Sequence, residues 1–167
     1  CESRLDYARY ALIEGLREAD RIGVNPYHFG LIAATDNHTG TPGGVEEKQP
    51  DSPTRRAPSV GNNPGGLAAV WAEENSRGSL FDALRRREVY GTSGPRMTVR
   101  FFGGWGFQPG DEKASPISRV GYGMGVPMGG ELAAGPAGAA PSFLVHAQMD
   151  PKGAHLDRIQ VIKGWID

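Results

Sequence analysis

The stretch GLIAATDNHTG, Gly30 to Gly40, reads in two halves. Gly30 to Ala34 is small and apolar. Thr35, Asp36, Asn37, His38 and Thr39 carry coordinating or hydrogen-bonding atoms. A short apolar run flanked by turn residues predicts a strand buried on both faces, as in a parallel sheet covered by helices. Polar groups at the carboxyl end of such a strand fall where the sites of α/β sheets and barrels lie.

The surroundings fit that rhythm. SRLDYARYALIEGLREADRIG, ahead of the strand, repeats apolar residues at spacings of three and four: Leu5, Ala8, Leu12, Leu16 and Ala19. This predicts a helix, with Ser3 as N-cap, Asp6 completing a capping box and Gly23 as the stop. NPY then turns the chain into HFGLIAAT. Residues 40–66 form a long loop rich in Gly, Pro and charge. GLAAVWAEE reads as a short strand or an extended run. NSRGSLFDALRRREVYG reads as a second helix, capped by Asn75 or Ser76 and ended before Gly91.

The texture changes after Gly94-Pro95. RMTVRFFGGW, PSFLVHAQM and LDRIQVIKGW alternate apolar with polar residues and predict antiparallel strands, sandwich-like in arrangement. RVGYGMGVPMGG, between the first two, reads as turn-rich backbone. The expected organisation is an α/β part over residues 1–95 and a β-rich part over residues 96–167.

Composition sets outer bounds. The chain has 167 residues, 38% of them hydrophobic, which suits a packed domain rather than a disordered one. A formal net charge of -1 calls for no nucleic acid partner. No apolar run approaches the roughly 18 residues of a membrane span. The one cysteine, Cys1, excludes an internal disulfide and a cysteine-based zinc site. The chain opens at Cys and stops at QVIKGWID, so both ends read as cut, and the sequence assigns no compartment.

Asp36 and His38 stand two apart, so on an extended backbone both side chains face one pocket. One carboxylate oxygen and one imidazole nitrogen suit zinc, manganese or iron. An ordinary surface turn accounts for the same triplet. Arg77 follows Glu73 and Glu74. It either pairs with one of them or binds a phosphoryl group through its planar fork. His28, His146 and His155 read as turn, strand and loop residues, Arg85 to Arg87 as a solvated helix face, and Trp71, Trp105 and Trp165 as packing aromatics.

GLIAATDNHTG resembles the last metal-binding motif of the PHP (polymerase and histidinol phosphatase) superfamily, where an Asp-x-His ends a late strand of a distorted α/β barrel. PGGLAAVWAEENSRGSLFDALRRREVYGTSGPRMTVRFFGGW, GVPMGGEL and LDRIQVIKGW resemble an uncharacterised bacterial family related to it. The run from Trp71 to Arg100 is the most specific part. The resemblance implies the carboxy-terminal portion of a PHP-like barrel followed by a β-rich extension. It implies a divalent-metal-dependent hydrolase of small-molecule phosphoesters, with Asp36 and His38 as ligands and Arg77 stabilising charge. In such sites two or three metals activate a water and polarise the phosphoryl oxygen. This chain has no His-x-His among its four histidines. The remaining ligands are therefore expected before Cys1, with metal held weakly by this chain alone, and an incomplete barrel is expected to self-associate through exposed apolar surface. The rival reading is a non-catalytic binding or structural module whose β-rich part recognises a glycan or protein.

Overall fold

The first helix ends where its glycine says it should. In the computed structural model, which describes residues 3, 7–35 and 65–167, α1 runs from Ala8 to Ile22 and stops at Gly23, whose φ of 78° is left-handed. It starts later than expected: Tyr7 is the N-cap residue and makes no side-chain cap hydrogen bond. Asp6 lies outside the described residues. Glu14–Arg17 and Glu18–Arg21 pairs lace the exposed face, where solvent screens them. Gly15 is buried because Asn25 and Tyr27 pack where its Cβ would stand.

The chain divides into two compact units, Cys1–Phe29 with Arg158–Asp167, and Gly30–Asp157. In the first, Gly164 packs against Ile13 of α1. Residues 158–167, expected as part of a strand, pair with no strand among the described residues, and Ile159, Val161 and Ile162 are exposed.

The described residues of the second unit form two antiparallel sheets. β1, Leu67–Val70, pairs with β2, Val89–Thr92, and α2, Arg77–Arg85, connects them. Ser76 caps α2, its hydroxyl accepting from the Ser79 N–H at 3.3 Å. The Ser79 hydroxyl in turn accepts from the Glu73 and Glu74 amides at 3.1 and 3.3 Å, which fixes the turn entering the helix. The far end closes in a Schellman motif: Glu88 N–H donates to Ala83 O and Arg87 N–H to Leu84 O. Arg87 occupies the left-handed position there, φ 60°, where glycine is usual.

The second sheet has the order β4-β3-β5, from β3, Thr98–Gly104, β4, Gly125–Pro127, and β5, Ser142–Gln148. Between β3 and β4 lie a single 3-10 turn, Asp111–Lys113, and helix α3, Ile117–Met124. Phe102, Phe107 and Leu144 form the core, with Ile117 and Val120 of α3 packed against them. Helix α3 replaces the turn-rich backbone expected there. Its glycines hide it from a pattern search, yet Gly121 is what lets it dock: a Cβ at that position would sit 2.5 Å from the Phe102 ring.

The expected α/β barrel portion is not present among the described residues. Every strand pairing among the described residues is antiparallel. Gly30–Thr35 belongs to no strand, and Leu31 and Ile32 are 42% and 56% exposed. The run lies against the β1–β2 pair instead: a Cβ at Gly91 would stand 2.7 Å from Ala33 N, and one at Gly66 2.6 Å from Ala34 O. An apolar run signals burial only if other segments cover it. A parallel strand needs a ladder partner, and none pairs with this run among the described residues.

Candidate functional site

The best-built polar cluster gathers around Glu88. The Schellman turn after α2 aims this residue inward, and its side chain is 5% exposed. Its carboxylate accepts a short hydrogen bond from the Tyr122 hydroxyl. The guanidinium nitrogens of Arg86 and Arg100 lie 3.6 and 3.8 Å from it. Arg100 Nη1 also donates to the Tyr122 oxygen at 2.8 Å.

Arg100 reaches this position because a strand alternates its faces. Arg100 and Phe102 are two apart on β3 and share the face covered by α3, where Tyr122 meets Phe102 edge-on at 5.1 Å. Above the guanidinium lies Trp71, with its ring centroid 3.4 Å from Arg100 Cζ. Trp71 is held at both ends: its backbone N–H donates to Glu88 O at 3.0 Å and its indole N–H to Val99 O at 2.9 Å. Burial and the neighbouring Glu88 push the Tyr122 phenol above its ordinary value, against a smaller opposing pull from Arg100. The phenol therefore stays a donor through the neutral range.

Chemically, this cluster is a brace. Each charged group already faces its counterpart, so Glu88 presents no open coordinating edge. It links the start of β2 to β3 and α3. A second brace stands nearby in sequence: the Asp150 carboxylate accepts the Arg96 and Lys152 N–H groups at 2.7 and 2.8 Å. Those two hydrogen bonds hold its pKa below the ordinary value.

Of the residues expected to carry chemistry, none that is described belongs to this cluster. Asp36 and His38 fall outside the described residues. The described chain reaches Thr35, just before them in sequence, along the glycine-seated run over the β1–β2 pair. Arg77 is exposed at the first position of α2 and forms no ion pair with Glu73 or Glu74. It stands apart from the Glu88 cluster. His28, His146 and His155 are exposed. Among the described residues, no three of His, Cys, Asp or Glu gather as a metal site. The zinc, manganese or iron implied by the resemblance therefore has no ligand set among the described residues. Trp105 donates its indole N–H to Ala133 O at 3.0 Å and is half-buried, whereas Trp165 is exposed.

Sequence reading missed Glu88, Arg100 and Tyr122. Two signals were present: an acidic residue following three arginines at the start of a strand, and an arginine on the same strand face as Phe102.

A groove of about 470 Å³ runs beside β5, between Ser142–Val145 and a wall containing Phe107, Asp111 and Glu112. No helix among the described residues is long and apolar enough to cross a membrane. No curated protein and no solved structure matches the chain. One family model, Protein of unknown function (DUF3604), matches residues 1–167, and the chain belongs to that family.

Proposed function

We propose that this chain contributes to a divalent-metal-dependent hydrolase acting on small-molecule phosphoesters. Asp36 and His38 supply one carboxylate oxygen and one imidazole nitrogen to the metal, and ligands from other segments complete the set. When bound, zinc, manganese or iron would supply a water of lowered pKa and polarise the phosphoryl oxygen. Arg77 takes the charge-stabilising role. Unlike Arg86 and Arg100, it is not held by Glu88.

The observation that supports the reading is the seat under Gly30–Thr35. Gly66 and Gly91 admit the backbone of Ala33 and Ala34 at distances that any Cβ would obstruct. That contact fixes the backbone of Ala33 and Ala34, with Ala34 two residues ahead of Asp36 in sequence, and a ligand needs such a fixed support. Exposed apolar side chains, including Leu31, Ile32, Phe143 and Val161, support self-association of the chain as well.

The test uses the natural full-length protein. Metal content by mass spectrometry and hydrolysis of an aryl phosphate are compared for wild type, Asp36→Ala and His38→Ala. Stoichiometric metal, lost together with activity in both variants, is the expected result. Metal and activity unchanged in both variants would overturn it. That result would favour a non-catalytic module, a reading supported by the groove beside β5, whose apolar floor and acidic wall suit a bound chain.

A further inference from the structure

We propose that two copies of this chain exchange strands, with Arg158–Lys163 of one copy pairing along the free edge of β5 in the other. The proposal rests on the self-association put forward above and names its surface.

β5 is an edge strand. In the order β4-β3-β5 it pairs with β3 from Ser142 to Gln148, and no strand among the described residues takes its other side. An edge of this kind presents N–H and C=O groups in the register a further strand needs. The groove of about 470 Å³ lies along Ser142–Val145. Phe107 and Phe143 make it apolar. Asp111 and Glu112 make its wall acidic, and neither forms an ion pair among the described residues. Each spends an oxygen on a local backbone N–H, of Gln108 and Gly110 respectively.

The segment RIQVIK has the matching chemistry. Lys163 follows Ile159, Val161 and Ile162, so one positive end meets the acidic wall and the apolar residues beside it meet the aromatic rings. Its β-branched residues favour an extended, pleated backbone. Ile159, Val161 and Ile162 are 56%, 56% and 62% exposed, yet the segment lies in no strand. Within its own chain it is grouped with α1, where Gly164 packs on Ile13. That seat leaves its apolar side chains outward, available to a second copy. Reciprocal exchange closes a two-fold dimer and leaves no open end for a filament.

Sedimentation equilibrium across a concentration series is the test, paired with amide hydrogen exchange. The expected result is a dimer in which the amides of Ser142–Val145 and Ile159–Ile162 gain protection as concentration rises. Val161→Pro removes a pairing N–H from an exposed segment and weakens the dimer at least about tenfold. Ile159→Glu keeps every N–H, opposes the acidic wall and weakens it similarly. A monomer at every concentration would overturn both the exchange and the self-association. A dimer that ignores both variants and leaves Ser142–Val145 unprotected would overturn the exchange alone.

Discussion

The Arg100 guanidinium carbon lies 3.4 Å from the centre of the Trp71 ring, while the same side chain stands 3.8 Å from the buried carboxylate of Glu88. One cation thus serves a π face and a buried anion at once. Arg100→Met keeps the stem and removes the charge. It is expected to destabilise the unit by about 2–3 kcal/mol, because Glu88 loses one of its two cations and the indole its partner. Arg100→Lys recovers only part, since an ammonium lacks the planar fork that spans Trp71 and Tyr122. Urea unfolding followed by tryptophan fluorescence measures both.

Tyr122 sets an alkaline limit. Its phenol pKa is raised above 10.0 by burial and by Glu88. A raised folded value means that its contribution is fully present below about pH 10 and is lost as pH climbs through the higher folded value. Thermal unfolding between pH 8 and 12 should show this loss as a downward slope, taking those limits as roughly two units either side of the phenol's ordinary value. Tyr122→Phe should flatten the slope. An equal slope in the variant would mean that another group carries it.

Asp150 sets an acid limit of opposite sign. Its folded value is depressed below 3.8 by the Arg96 and Lys152 amides. Its contribution is present above that ordinary value and disappears as pH falls through the lower folded one. Asp150→Asn should therefore lower stability at neutral pH and blunt the acid transition, both read by circular dichroism.

The left-handed Arg87 can be separated into strain and bonding. Its Nε–H donates to Gly129 O at 2.9 Å, while its backbone holds φ at 60°. Arg87→Ala loses the side-chain bond and keeps the strain. Arg87→Gly loses the bond and relieves the strain, so it should be about 1 kcal/mol more stable than the alanine variant. Chemical denaturation of the pair checks the difference.

Two glycines of α3 make a matched test of the packing. Gly121→Ala drives a Cβ to 2.5 Å from the Phe102 ring and should cost about 2–3 kcal/mol. Gly123→Ala meets nothing within 4 Å and should instead stabilise, by up to about 1 kcal/mol, through helix propensity. Melting temperatures of the two variants should move in opposite directions.

Local chemistry was legible where it acts over a few residues. Gly23 ends α1 through its left-handed backbone, and Ser76 caps α2 by reaching the Ser79 amide. The alternation in RMTVRFF and PSFLVHAQ marks β3 and β5 because each strand has one face covered. HFGLIAAT and LDRIQVIKGW failed as strands, since pattern reports a readiness to pair and not the presence of a partner. Asp36 and His38, the residues on which the sequence reading turned, lie outside the described residues.

By itself the sequence determined where α1 stops, where α2 starts and which segments can extend. Tertiary structure alone decided that Glu88, Arg100, Tyr122 and Trp71 meet, since they come from four separate segments and share no spacing. It also decided that α3 forms at all. A helix with glycines at 121 and 123 has weak intrinsic preference, and Gly121 becomes an advantage only when the Phe102 ring is there to fill its place.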